Sequence, residues 1–407
     1  MNATEVLKLY GESVKTALGF FWKSGWAFVL GYFVSGMIQA FVPKAKMTRY
    51  MGEADFRTVS LSTVFGAASS SCSFAALATA KSLVKKGAHF VAAVAFMFAS
   101  TNLVIELGIL ILIFLGWQYL AAEVVGGLVL ILISTIIIKL TYPEKWMKQA
   151  RDKLEKAEGE EGAFDWRKRI KSRYGWHLVG QKFVSDWKMA WEDILIGFTV
   201  AGFVAVLVPN SFWSTLFMSG MKGEMNGFLL NLENAVIAPF VAAATFIGSM
   251  GNIPLATVLA QNGVLFAGIM GFIYSDLMVP PLVHINAKYY GWKVALYIAG
   301  VMFVSIVITA LALDYGFQWF GLIPESHKEI GHLTQFAIDY TFWLNIAFVL
   351  VSGWLIYLYR EHVRQHLGGQ PMPMDMEGGG PVKRFVVYAF IAVDVIGLFI
   401  FAWISLF

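Results

Sequence analysis

The chain has 407 residues, of which 58% are hydrophobic and only 14% charged, against about 45–50% and about 25% in an ordinary soluble domain. That imbalance, gathered into runs longer than the roughly 20 residues that cross a bilayer, excludes a soluble globular protein and predicts an all-α polytopic membrane protein. A net charge of +4 is too small to argue for nucleic acid, and the single cysteine, Cys72, excludes an internal disulfide and a multi-cysteine metal cage.

In chain order, residues 1–16 carry Glu5, Lys8, Glu12 and Lys15 without an apolar signal-peptide core, which predicts a short amphipathic helix at the membrane surface. A first span follows at 18–42, ending at Pro43 with Lys44, Lys46 and Arg49 beyond it. Residues 58–84 are small and hydroxyl-rich from Gly66 to Ser73 and have little bulk to show to lipid. They suit a re-entrant hairpin of two half-helices, whose irregular tip is tolerated only where protein or a wet cavity covers the backbone. Spans at 90–115 and 120–140 complete a first repeat, 17–140. The segment 141–188 is rich in Lys and Arg and therefore reads as cytoplasmic.

A second repeat, 189–313, has the same order. Its opening span at 194–208 carries Ile196-Gly197-Phe198-Thr199-Val200-Ala201-Gly202, matching Leu30-Gly31-Tyr32-Phe33-Val34-Ser35-Gly36. A second broken hairpin lies at 233–260, with spans at 264–283 and 294–313. An extracytoplasmic segment, 314–341, leads to two C-terminal spans within 342–407, separated by a Gly/Pro/Met-rich loop at 368–381. A span, a re-entrant hairpin and two further spans make an odd number of crossings, so the two repeats are expected to have inverted topology. With both ends of the chain outside, the basic segments at 43–49, 141–188, 288–293 and 360–384 all fall inside, as the positive-inside rule requires.

The centre of each repeat carries a shared pattern. Ser70-Ser71-Cys72-Ser73-Phe74-Ala75-Ala76-Leu77-Ala78-Thr79 echoes Gly248-Ser249-Met250-Gly251-Asn252-Ile253-Pro254-Leu255-Ala256-Thr257. Each is followed by a lone glycine, Gly87 or Gly263, and then by a polar knot in an apolar run: Ala99-Ser100-Thr101-Asn102 or Ser275-Asp276-Leu277-Met278. Aligning both ends needs a two-residue gap near Lys85. Inverted repeats with discontinuous helices hold substrate near the midplane, where half-helix N-termini offer unpaired N–H groups and a positive dipole end. The second arms are expected to start near Ser73 and Pro254, proline being at home in a first helical turn, and the two tips to approach from opposite sides. Gly251 permits close backbone approach.

The candidate substrate-binding residues are Ser70, Ser71, Cys72, Ser73, Ser100, Thr101, Asn102, Gly251, Asn252, Pro254 and Ser275. The plainer reading of the Ser/Ala run is helix packing. Asp276 is sharper, because a mid-span carboxylate is costly and faces a bundle interior or water. It is expected to couple transport to a proton or cation, with Glu106 as a second candidate; a salt bridge to Lys81 is the structural alternative. Asp394 serves packing or oligomer contacts, Glu192 and Asp193 sit at a membrane edge, and His284 and Asn286 are interfacial. Cys72 is a soft atom at a hairpin tip, but one thiol falls short of a multidentate soft-metal site. No metal or cofactor is expected; the partners are membrane lipids, a small-molecule substrate and, as an open option, further copies of the chain.

At these same residues the sequence resembles the permease family that includes the organoarsenical efflux permeases. The resemblance rests on Gly251-Asn252-Ile253-Pro254-Leu255-Ala256, Gly263, Phe272-Ile273-Tyr274-Ser275-Asp276-Leu277, Pro280 and Lys288-Tyr289-Tyr290-Gly291. A looser match runs through Ser71-Cys72-Ser73, Gly87 and 98–103. It implies a multi-pass inner-membrane permease, with some members exporting trivalent organoarsenicals. The leading expectation is thus a secondary transporter or exporter of a small solute. A channel-like pore needs no coupling carboxylate and is the second reading. A membrane-embedded enzyme is the third, without a His/Asp/Glu or paired-Cys constellation in the spans to support it. There is no nucleotide-binding motif to drive transport with ATP.

Overall fold

The computed structural model describes residues 2–41, 55–69, 73–85, 87–153, 166–221, 223–245, 247–324, 330–333, 336, 338–366 and 381–406. Ser70, Ser71 and Cys72 lie outside the described residues, as do Pro43, Lys44, Lys46, Arg49 and the loop at 368–380.

The architecture is helical. The first half contains α1 (Ala3–Phe41), α2 (Phe56–Ser69), α3 (Ser73–Lys85), α4 (Phe90–Asn102), α5 (Ile105–Phe114) and α6 (Trp117–Thr141). Short helices α7 (Glu144–Lys153) and α8 (Trp166–Lys171) occupy the charged segment. The second half contains α9 (Arg173–Leu207), a short α10 (Asn210–Leu216), α11 (Gly227–Thr245), α12 (Ser249–Gln261), α13 (Phe266–Ile273) running into a 3₁₀ turn (Tyr274–Met278), α14 (Pro280–Tyr290) and α15 (Trp292–Trp319). After a single turn, α16 (Ile330–Leu333), two helices close the chain: α17 (Tyr340–His366) and α18 (Pro381–Leu406). Among the described residues, seven helices are long and apolar enough to cross a membrane, and nine spans result when each bent pair counts as one. The protein is a multi-pass membrane protein.

Two of the segments read as single spans are broken at their polar knots. α4 and α5 meet at 42°, and the α13 segment meets α14 at 41°. In the second case Pro280 begins the new helix and Val279 before it is extended (φ −60°, ψ 140°), as a residue preceding proline prefers. The first break has no proline; Val104 is extended instead (φ −113°, ψ 147°). α11, read as the first arm of a re-entrant hairpin, has 19 residues, about 28 Å of helix.

The longest helices begin earlier than their apolar patterns indicate. α1 passes without a break through residues 3–16, where Ser13 and Val14 are fully buried. Gly11 lies against the backbone of Phe401 in α18, and the ammonium of Lys15 stands 5.1 Å from the Phe401 ring. These charged residues therefore belong to an amphipathic continuation of the span, covered by α18. α9 likewise starts at Arg173, capped by the Ser172 hydroxyl, which accepts from the Gly175 N–H.

α1 and α9 pack together along much of their length, and they run antiparallel. Gly36 backs onto the carbonyl of Val179, while Gly202 backs onto the carbonyl of Ser13. The two glycines match in the sequence alignment, so one contact recurs with its partners exchanged, as at a two-fold axis. The other helices follow suit: α3 packs on α14 and α12 on α5, while α6 packs on α15. Glycines with positive φ recur at matching joints, Gly87 and Gly263 at 96° and 81°, and Gly116 and Gly291 at 107° and 88°. Only a residue without a Cβ adopts these angles cheaply. One apolar core, including Phe98, Ile253, Met270, Phe272 and Tyr274, runs through both halves.

Candidate functional site

The first residues of α3 and α12 meet at the centre of the molecule. The hydroxyls of Ser73 and Ser249 are 3.1 Å apart. Both reach one oxygen of Asp276, Ser249 donating at 2.5 Å and Ser73 at 3.1 Å. Asp276 is fully buried, and its other oxygen, Oδ1, has no hydrogen-bond partner. An uncapped Gly248 in extended conformation (φ −80°, ψ 176°) starts α12 at Ser249. The close approach of Gly197 and Gly251 draws that helix end against α9: a Cβ on Gly197 would stand 2.6 Å from the Gly251 Cα. Asp276 is presented by the 3₁₀ turn, held from both sides. Tyr274 donates its hydroxyl to the Ala122 carbonyl in α6 at 2.9 Å, and Ser275 donates to the Gly271 carbonyl at 2.5 Å.

Beside the two serines lies a cavity of about 30 Å³, lined by residues including Tyr32, Thr101, Asp193, Met250 and Gly251. That is room for about two waters. The Tyr32 hydroxyl lies 3.2 Å from the Met250 sulfur.

Of the residues picked from sequence, Ser73, Thr101 and Gly251 line this cavity and Asp276 binds its rim. Asn252 is fully buried, and neither its amide oxygen nor its nitrogen has a hydrogen-bond partner. Ser100, Thr101 and Asn102 donate to carbonyls of Met97 and Phe98 in their own helix. Pro254 does not open α12. It stands as the sixth residue, because the helix starts at Ser249, five residues before the proline. There its missing N–H leaves the Met250 carbonyl without its helical donor.

Glu106 belongs elsewhere. It packs against Gly31 of α1 and lies within Coulombic reach of Asp186. Asp186 accepts from Ser35 at 3.3 Å and from Gln39 at 3.1 Å, forming a second polar cluster between α1 and α9. Lys81 is not the partner of Asp276; its ammonium sits 4.0 Å from the centre of the Tyr289 ring, a cation–π contact. Asp193, expected at a membrane edge, falls in mid-helix and lines the cavity, since α9 extends back to Arg173. Asp394 accepts from Thr199 at 2.8 Å and so fastens α18 to α9.

One participant, Ser249, and one buried carboxylate outside the cavity lining, Glu123, escaped the sequence reading. Ser249 lay inside the recognised motif but was passed over for its glycine and asparagine neighbours. Glu123, in α6, is 1% exposed. The signal was present, a lone carboxylate within an apolar helix, which is costly unless it faces the interior.

A family model described as predicted permease matches residues 10–315. The "Putative permease Rv2963" of Mycobacterium tuberculosis (strain ATCC 25618 / H37Rv) is 35% identical over 354 residues, 84% of each chain. The "UPF0718 protein YraQ" of Escherichia coli K12 is 25% identical over 297 residues, 72% of this chain and 77% of that one. No solved structure matches the chain.

Proposed function

The chain belongs to the predicted permease family, and from that premise we propose that it is a secondary transporter moving a small solute across the cell inner membrane by alternating access between two inverted repeats. The observation that carries this reading is the meeting of two helix N-termini on one buried carboxylate, Ser73 and Ser249 on Asp276. In a transporter built from inverted repeats, the substrate and coupling ion sit where such discontinuous helices meet. The antiparallel α1–α9 pair and its exchanged glycine contacts support the inverted arrangement.

In this reading the two N-termini bind the polar part of the solute through N–H groups and hydroxyls. The cavity between Ser73, Thr101, Ser249 and Gly251 is the closed form of the substrate site, which widens when the halves rock. Asp276 takes up the coupling proton or cation. An organoarsenical or related compound is the first solute to try, on the family resemblance.

The test is transport of trivalent methylarsenite in inverted membrane vesicles, with and without a proton gradient. Gradient-dependent transport that is lost in Asp276→Asn, with the variant still folded, is the expected result. Transport that persists unchanged in Asp276→Asn would remove the coupling role. No movement of methylarsenite by folded wild-type protein would remove that substrate and direct the search to other small solutes.

A further inference from the structure

The corner where α8 turns into α9 is tied together by its own hydrogen bonds. The Ser172 hydroxyl donates to the Arg169 carbonyl at 2.8 Å and accepts from the Gly175 N–H at 3.0 Å. The Trp176 indole donates to the Ile170 carbonyl at 3.0 Å. Gly175 leaves no room for a side chain, because a Cβ there would collide with the Arg169 carbonyl. Arg169 reaches the Ala40 carbonyl of α1 at 3.4 Å. The corner is fastened to α17 as well: Arg173 pairs with Glu361 at 2.6 Å, and the rings of Tyr174 and His362 lie 5.9 Å apart.

What this corner displays is charge of one sign. Lys168, Lys171, Arg173, Arg360 and Arg364 are all exposed, the last two one turn apart on the same side of α17. In α8, in 173–181 of α9 and in 357–366 of α17, Glu361 is the one carboxylate, and Arg173 already binds it. Among the cations stand two apolar surfaces, Ile170 at 38% and Tyr174 at 42% exposed. Close by, the indoles of Trp176 and Trp354 pack 5.7 Å apart, and tryptophans gather at the headgroup level of a bilayer. The corner thus lies at the depth of lipid phosphates, at the end of α9 that the basic segments assign to the cytoplasm.

We propose that this corner binds an acidic phospholipid of the cytoplasmic leaflet, its phosphate held among the basic side chains of α8 and α17 and its acyl chain lying against Ile170 and Tyr174. That leaflet carries anionic lipid, and basic side chains beside a span are attracted to it. The arginine fork matches phosphate, and long basic side chains reach headgroups while their stems stay on apolar surface. A soluble acidic partner has no use for apolar side chains held at membrane level. A bound lipid bridges the α8–α9 corner and α17. The site is separate from Asp276 and requires nothing of the transport reading.

The test is titration of the purified full-length protein, stripped of lipid in detergent, with phosphatidylglycerol and with phosphatidylcholine. Native mass spectrometry counts the bound lipid, and the thermal unfolding midpoint follows its effect. Phosphatidylglycerol is expected to bind and raise the midpoint, and phosphatidylcholine to do neither. The double variant Lys171→Gln/Arg364→Gln should weaken phosphatidylglycerol by about twentyfold, or about fivefold for each cation removed. Lys139→Gln/Lys145→Gln, which removes two exposed cations from α6 and α7, should leave it unchanged. High salt, which screens exposed charges, should release the lipid from the unmodified protein, a result that needs no variant to fold. Equal losses in the two double variants would mean diffuse charge rather than a site. Glycerol phosphate binding as tightly as phosphatidylglycerol would mean a soluble anion, and phosphatidylcholine binding equally well would remove the role of charge. Each of these three outcomes overturns the proposal and leaves the transport reading untouched.

Discussion

In the first half, the segment from Phe90 to Phe114 turns by 42° around Leu103 and Val104; in the second, the segment from Phe266 to Tyr290 turns by 41° at Val279. The joints before and after each segment are glycines in the same left-handed region, Gly87 and Gly116 in one half and Gly263 and Gly291 in the other. The chemistry at the bends differs. In the first half the hydroxyls and amide of Ser100, Thr101 and Asn102 turn back onto their own helix. In the second, Asp276, opposite Ser100 in the sequence alignment, reaches out to two other helices. A skeleton fixed by a few glycines recurs in both halves, while the side chains at matching places differ. The proposed function rests on that difference, because the second half alone presents a carboxylate at this bend.

Substitutions can break this comparison. The largest effect on stability is expected from Asp276→Ala, which strips the acceptor from both serines; each lost buried partner costs about 1–3 kcal/mol. Ser100→Ala, at the matching place, should cost less than about 1 kcal/mol, since its hydroxyl only supplements a helical carbonyl. Thermal unfolding in detergent ranks the two, and equal costs would mean that the halves do not differ as described.

A smaller effect tests the exchanged contacts between α1 and α9. A Cβ at Gly202 would come within 2.6 Å of the Ser13 carbonyl, but one at Gly36 only within 3.1 Å of Val179. Gly202→Ala is therefore expected to destabilise by about 1–3 kcal/mol, as overpacking does, and Gly36→Ala by less. The reverse order in the same unfolding assay would show that the helices relax at Gly202. The smallest effect belongs to Pro280→Ala. Since α4 and α5 bend without proline, the second bend should persist, with a stability change of about 1 kcal/mol or less. Spin labels on α13 and α14 would report straightening if proline alone held the angle.

The recurrence of the two motifs was legible because close backbone approach and helix starts demand particular residues, here the glycines around 248–251 and the serine-rich run before Phe74. Asp276 stood out for the cost of a charge among apolar neighbours. The true starts of α1 and α9 were not legible, because residues 3–16 and 173–190 are too polar to read as spans. Their apolar faces matter only once α17 and α18 lie against them, as Gly180 does against the Leu355 carbonyl. Pro254 misled by its preference for helix starts, when Gly248 had already turned the chain into a helix. Glu123 was legible in principle, as a lone carboxylate within an apolar helix, and was passed over.

Immediately after Gly116 and Gly291, each half places a tryptophan, and both indoles are largely exposed, Trp117 at 55% and Trp292 at 57%. The helices they begin, α6 and α15, are antiparallel: Thr141 at the end of one meets Tyr297 near the start of the other at 2.8 Å, while Gly126 lies against Leu313. The two indoles thus stand at opposite ends of one helix pair, and indoles settle at the headgroup level. Together they act as callipers, one jaw moored in each leaflet, so a bilayer thinner or thicker than their separation would press directly on the joints that connect the bent segments to the rest of the molecule.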